Sequence, residues 1–233
     1  MNKKELLNEF ESDYFIQWCG QRRPYSNYLE FCCLKLRKSK LKWLDAGCGY
    51  GHLVEDARIT FKPSNLECQI EAFGFDISKY ALSKSNVKNW LCRCDAHNIP
   101  FKTDTFDVVS AFDIVEHVSD PIRILKEFHR VLQKGGLLIL TTPSKIGHNP
   151  DPTHINEHLP QFWIKHLNKI GFRCKPFYIP VIASSSPRLP ESARTFASKL
   201  PRSFVFYFEE PLRKLLGIHS GITGRFYALA IKN

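Results

Sequence analysis

Three observations in the sequence predict an α/β domain built on a largely parallel sheet flanked by helices. Between residues 40 and 142, short apolar runs alternate with stretches of helical periodicity, the pattern of consecutive βαβ units. The first run closes on WLDAGCGYGH, Trp43 to His52, where three glycines at alternate positions demand a sharply bent backbone or a close approach by something else. Four successive runs end in acids, which places Asp45, Asp76, Asp95 and Asp113 at the carboxyl ends of strands, the rim on which open α/β sheets bind ligands.

Each element has its own local reason. Before residue 40, two helices carry Tyr14, Phe15, Trp18, Tyr25, Tyr28 and Phe31, an aromatic cap for the domain. Strands are expected at 42–46, 72–76, 89–94, 106–112 and 137–142, where apolar residues cluster. Between the last two, PIRILKEFHRVL (121–132) sets Ile122, Leu125, Phe128 and Leu132 on one face with proline in the first turn, a helix stopped by Gly135 and Gly136. A further helix at 161–169 ends at Gly171 and leads to a sixth strand at 172–182, and RFYALAIK (225–232) is the last strand. Residues 183–224, rich in Pro, Ser, Arg and Phe, are long for a connection in a compact domain and mark a functional or mobile insertion. At 233 residues the chain reads as one domain: a cap at 1–40, a core at 41–182, the insertion and the final strand.

Composition narrows the function classes. With 33 Lys and Arg against 23 Asp and Glu, the formal charge of +10 favours anionic partners: phosphate-bearing substrates, RNA or an acidic membrane surface. The opening MNKKELLNEFESDYF is charged throughout and has no apolar core, so it does not read as a signal peptide, and the eight cysteines are expected to be reduced thiols in a cytoplasmic protein. They form no C-x-x-C pair, which argues against structural zinc. No apolar run reaches the roughly 18 residues of a membrane span.

The glycine turn carries the chemistry. Counted from Gly47 and Gly49, the third glycine of a dinucleotide fingerprint would fall on His52, so the pyrophosphate pattern is not met. Asp45 followed by Gly47, Gly49 and Gly51 instead suits a ligand with no pyrophosphate and a cationic amino-acid end. Asp76, in AFGFDIS, lies where an acid accepts both hydroxyls of a ribose. Asp95, in LCRCDAHNIPF, can accept from an exocyclic amino group with the Ala96 N–H beside it. The fourth strand, FDVVSAFDIVEHVSDP, delivers Asp113, Glu116 and His117 to the same rim.

In order and spacing, DAGCGYG, GFD, CDAHNIPF, FDVVSAFDIVEHV and PIRILKEFHRVLQKGGLLILTTP resemble the successive motifs of class I S-adenosylmethionine-dependent methyltransferases, over about residues 40–182 and the last strand. The resemblance implies a Rossmann-like seven-stranded sheet in the order 3-2-1-4-5-7-6, with only the seventh strand antiparallel. It also implies S-adenosylmethionine as cofactor. Asp45, Gly47, Gly49 and Gly51 would hold its methionyl part, Asp76 and Ile77 the ribose side and Asp95 and Ala96 the adenine, while Phe112 and Asp113 border the methyl-bearing sulfur. The implied activity is methyl transfer to an oxygen, in preference to nitrogen or carbon, of a small-molecule, lipid-like or glycan acceptor.

An acceptor hydroxyl needs a base, and His117, His154 and His158 are the candidates, with Glu157 beside the last two in DPTHINEHLP. No metal site is expected: Pro160 interrupts the set His154, His158 and His166, and Glu116 with His117 lacks a third ligand. For His117 a packed ring is an open alternative to a chemical role. The stretch LPRSFVFYFEEPLRKLLG (200–217) reads as a lid over the sheet edge, with peripheral membrane contact as the sharper alternative. Two other functions stay open: RNA methylation, prompted by the charge although no RNA-binding module is appended, and a non-catalytic partner subunit that keeps the fold.

Overall fold

The computed structural model describes residues 25–62, 67–143, 151, 153–176 and 225–233, and the structural statements that follow concern those residues. Of the expected aromatic cap, Tyr14, Phe15 and Trp18 lie outside them, as do the insertion at 183–224, its segment 200–217 and the far end of the sixth strand. The elements are α1 (Ser26–Leu36), β1 (Lys40–Ala46), α2 (His52–Glu55, continued as a π-helical turn over Asp56–Thr60), β2 (Gln69–Asp76), α3 (Lys79–Ser83), β3 (Leu91–Arg93), β4 (Phe106–Phe112), α4 (Pro121–Val131), β5 (Leu132–Pro143), α5 (Pro160–Ile170), β6 (Phe172–Pro176) and β7 (Arg225–Lys232).

All seven strands join one sheet in the order β3-β2-β1-β4-β5-β7-β6. Pairing is parallel from β3 through β5, and β7 alone runs against its neighbours β5 and β6. The order reverses between β1 and β4, which opens a crevice at their carboxyl ends. Helices cover both faces, so alternate residues of each central strand enter opposite cores. Leu44, Val109, Leu138 and Leu140 pack with Ile124, Leu125 and Phe128 of α4 and Trp163 and Leu167 of α5. Trp43, Val108, Leu137 and Ile139 pack with Leu29, Phe31 and Cys32 of α1 and Leu53 and Val54 of α2. This two-sided burial explains why FDVVSAF is nearly continuously apolar and why its bounds are legible in sequence.

Two elements depart from expectation. The face of α4 that enters the core is Ile124, Leu125, Phe128 and Val131, with Ile122 only partly buried, and the helix starts on Asp120, whose side chain accepts from the Arg123 N–H at 3.0 Å. Its end is not set by the glycines. The chain turns extended at Leu132 and enters β5 at once, five residues earlier than the apolar run predicts, because Leu132 pairs with Phe106 of β4. Between that pair and Val108–Leu137 the register shifts, and Gly135 (φ 78°) takes up the extra residues in a left-handed turn. Gly136 fits there because a Cβ would meet the Asp107 carbonyl oxygen at 3.1 Å. The α5 helix, by contrast, ends at Gly171 (φ 115°) as the sequence predicts.

Candidate active site

The glycine turn leaves β1 into the crevice with Gly47, Gly49 and Gly51 all at positive φ (66°, 53° and 76°), a conformation that costs other residues about 1–2 kcal/mol apiece. A Cβ on Gly51 would lie 2.9 Å from Leu91 Cδ1 and 3.0 Å from Ser85 Oγ, and one on Gly47 would lie 3.1 Å from Ile114 Cδ1. Alternate glycines therefore answer both demands: a tight turn and a neighbour pressed against it. The Cys48 N–H donates to the Phe75 carbonyl at 2.9 Å, which ties the turn to the end of β2.

Asp76 completes that tie. Its Oδ2 accepts from the Gly49 N–H and its Oδ1 from the Ser78 N–H, both at 2.8 Å, while Ser78 caps α3 by accepting from the Ala81 N–H. Burial pushes the Asp76 carboxyl above its ordinary range, and the N–H groups of Ser78, Gly49 and Ile77 oppose that rise. A carboxylate has about four acceptor positions, so three backbone donors still leave it capacity for a ligand hydroxyl. Asp45, 4% exposed, accepts from Ser110 Oγ at 2.6 Å, and Ser110 in turn accepts from Trp43 Nε1 at 2.8 Å. No local sequence pattern marks this relay, whose centre is Ser110.

At the β3 end, Asp95 Oδ1 accepts from the His97 N–H at 3.0 Å and lies 2.7 Å from His97 Nδ1. Ala96 is buried, and the Ile77 carbonyl accepts from Arg93 Nε at 2.9 Å. The loop that carries Asp95 is pinned from α4: Arg130 donates to the carbonyls of Ile99 and Phe101, and Glu127 accepts from the Ile99 N–H. At the β4 end, Phe112 packs against Tyr28 and Tyr25 of the aromatic cap, with ring centroids 4.8 and 5.8 Å away, while Phe31 of the same cap is buried in the core. Asp113 follows at φ 56°, held by its N–H to the Thr141 carbonyl and by Thr141 Oγ1 donating to its Oδ1, each at 3.0 Å.

Asp95, Asp76, Asp45 and Asp113 thus stand in that order at the ends of four adjacent parallel strands, a row of about 14 Å at ordinary strand spacing. Within the row, Asp76 bonds the glycine turn through the Gly49 N–H. Acceptors for an amino group, for ribose hydroxyls and for an exocyclic amine fall in the sequence that an extended nucleoside with an amino-acid arm requires, so the residues present fit S-adenosylmethionine.

A second group of side chains gathers beyond β4. Glu116 and His117 sit in a 3-10 turn at Val115–His117, both buried, and the Glu116 carbonyl accepts from the Ile155 and Asn156 N–H groups. Those bonds carry the segment after β5 onto the turn. The His154 ring lies 4.8 Å from that of His117, centroid to centroid, and one donor atom from each of Glu116, His117 and His154 lies within 4.8 Å of the others. The convergence supplies the third residue that adjacency of Glu116 and His117 does not reveal in sequence. His154 Nδ1 bonds Glu157 Oε1 at 2.8 Å. His117 is flanked by Thr153, whose carbonyl and hydroxyl oxygens lie 3.2 and 3.0 Å from Nδ1. Burial lowers the His117 ring to about 4, its coulombic interaction with His154 adds to the drop, and the Thr153 carbonyl, Asp151 and Asp113 resist it. His158 stands apart from this group: its ring stacks on Phe162 at 3.7 Å and meets Trp163 edge-on.

Residues 44–140 match the family model described as a methyltransferase domain. This stretch is a methyltransferase domain. Among relatives of this methyltransferase domain, the mitochondrial ubiquinone biosynthesis O-methyltransferase of Candida albicans is 36% identical over 113 residues, 46% of this chain and 34% of that protein. Cycloartenol-C-24-methyltransferase 1 of Oryza sativa subsp. japonica is 33% identical over 134 residues, 54% of this chain and 38% of that protein. The chain therefore spans well under two thirds of the length of these relatives. In fold, the methyltransferase domain is similar to the crystal structure of a SAM-dependent methyltransferase from Archaeoglobus fulgidus, with a TM-score of 0.59 and 19% identity over 95% of this chain and all of that one. Among the described residues, no helix is long and apolar enough to cross a membrane, and the cysteines are free thiols.

Proposed function

We propose that the protein is a methyltransferase enzyme that uses S-adenosylmethionine to methylate an oxygen of a small-molecule, lipid-like or glycan acceptor. The bound cofactor supplies a methyl group already activated on a sulfonium. The protein's own residues do the rest. Asp45 with Gly47, Gly49 and Gly51 would hold the methionyl part, Asp76 and Ile77 the ribose side, Asp95 and Ala96 the adenine, and Phe112 and Asp113 the sulfur end. Holding two reactants in line contributes as much as about 7–11 kcal/mol to a displacement of this kind.

The observation that carries the oxygen preference is the pairing of His117 with His154 beside the rim. An acceptor hydroxyl must lose a proton as it is methylated, and His117, beside Thr153, and His154, flanked by Asp151 and Glu157, can take it. Of the two relatives above, one is an O-methyltransferase and the other a C-24-methyltransferase, and the histidine pair favours oxygen here. His158, in its stack with Phe162 and Trp163, borders this side as a packing residue.

Isothermal calorimetry with S-adenosylmethionine tests the cofactor reading. Wild-type protein is expected to bind, and Asp76→Ala to lose at least a hundredfold in affinity while a thermal melt still shows a cooperative transition. Unchanged affinity in Asp76→Ala sinks the assignment. Incubation with methyl-labelled cofactor and fractionated extract then reads the acceptor: label in lipid, glycan or small-molecule fractions supports the proposal, and label confined to RNA overturns it.

A further inference from the structure

We propose that Asp151 and Thr153 are positioning residues that fix the ring proton of His117 on Nδ1, which makes Nε2 the basic nitrogen of the ring. The inference rests on the acceptor-side role given to His117 above. It follows from counting protons. The Thr153 hydroxyl has one hydrogen and two close neighbours, Asp151 Oδ1 at 2.6 Å and His117 Nδ1 at 3.0 Å. An ionised carboxylate can only accept, so the hydrogen belongs on the side of Asp151. Turned the other way, the hydroxyl would leave its lone pairs against a carboxylate oxygen 2.6 Å away, a repulsive contact.

With its hydrogen committed to Asp151, Thr153 Oγ1 can only accept from His117. The other oxygen beside Nδ1, the Thr153 carbonyl at 3.2 Å, is also only an acceptor. Nδ1 therefore faces two acceptors from one residue, and the neutral ring satisfies both by carrying its proton there. Asp151 is itself fixed, because the same Oδ1 takes the Thr153 N–H at 2.9 Å. Burial alone would raise the Asp151 carboxyl, but the Thr153 hydroxyl and amide, with His154 and His117, outweigh it and hold the group ionised below its ordinary range. The chain Asp151–Thr153–His117 lies within a site where His117 is 5% exposed, so solvent has little access to scramble the tautomer.

The tautomer can be read directly and without any acceptor. In full-length protein labelled with 15N-histidine at neutral pH, long-range 1H–15N correlation spectra distinguish a protonated from an unprotonated ring nitrogen, and the spectrum of His117→Gln assigns the His117 signals. Wild-type His117 is expected to show a protonated Nδ1 and an unprotonated Nε2. In Asp151→Ala the Thr153 hydroxyl hydrogen loses its carboxylate acceptor and is free to turn toward His117, which shifts the ring toward the Nε2–H form. Thr153→Ser keeps the hydroxyl and is expected to keep the wild-type pattern. An Nε2–H ring in wild-type protein overturns the proposal even if the variants fail to fold, as does an unchanged ring in folded Asp151→Ala. Calorimetry on the same wild-type sample reports cofactor binding separately, so a failed tautomer assignment and a failed functional reading leave different records.

Discussion

Lowering the pH from 7.5 to 4 should destabilise this protein through His117 in particular, and the size of the effect follows from its burial. In the unfolded chain the imidazole titrates near its ordinary 6.5, whereas in the fold, burial and the neighbouring His154 bring it down to about 4. Between those values the unfolded state binds a proton that the folded state refuses. Stability is therefore complete above pH 6.5, falls by as much as about 1.4 kcal/mol per pH unit as pH drops through the window, and levels off below about 4. The window corresponds to a total of about 3 kcal/mol, a large share of the 5–15 kcal/mol that holds a typical domain together. The groups facing the ring, the Thr153 carbonyl, Asp151, Asp113 and His154, set this balance. Urea unfolding of wild type and His117→Gln at half-unit steps isolates the contribution, because other titrating groups are common to both proteins. The wild-type curve should fall away from the variant curve as pH drops below 6.5. Parallel curves, or a His117 NMR titration midpoint near 6.5, would refute the account of a ring buried neutral.

Other substitutions separate backbone strain, packing and buried polar bonds. Gly51→Ala places a Cβ 2.9 Å from Leu91 at φ 76°, whereas Gly135→Ala meets nothing within 4 Å at φ 78°. Thermal melts should show Gly135→Ala losing only the backbone cost of about 1–2 kcal/mol, roughly 2–8 °C at this size, and Gly51→Ala losing distinctly more, with weakened cofactor affinity. Ser110→Ala removes the hydroxyl between Trp43 Nε1 and Asp45 Oδ1, so two buried polar groups lose a partner at about 1–3 kcal/mol each. Urea unfolding should register that loss, and calorimetry a weaker cofactor affinity as Asp45 loses its brace.

What the sequence made legible follows from how each feature is encoded. The bounds of β4 and β7 and the end of α5 at Gly171 are local: an apolar run covered on both faces, or one glycine in a left-handed turn. The glycine turn and the four acids are legible because they recur at strand ends, a periodic property of the chain. The start of β5 is not, since Leu132 becomes a strand residue only through its pairing with Phe106, and an apolar pattern cannot show that partner. Nor are the bonds that aim the site. Ser110 reaches Asp45 across 65 residues, His117 meets Thr153 across 36 and Thr141 meets Asp113 across 28. No local window contains both ends of any of them.

The two halves of the site therefore answer to different physical constraints. On the proposed cofactor side, the groups offered to the ligand come from strand ends and backbone: Asp76 braces the turn through Gly49 while standing where a ribose would be read, and Asp45 is braced through Ser110 by the core residue Trp43. A change there cannot weaken binding without also loosening the centre of the sheet, so stability and cofactor affinity should fall together. The proposed acceptor side hangs on side chains and on one docked segment, joined to the turn after β4 by the bonds from Ile155 and Asn156 to the Glu116 carbonyl. Its histidines are tuned by neighbours that belong to no strand, Asp151, Thr153 and Glu157. Substitutions in that segment can shift a proton or a ring while the sheet beneath stays intact. A fold that separates its two tasks in this way can keep one cofactor and change acceptors by altering residues such as 151–158 alone.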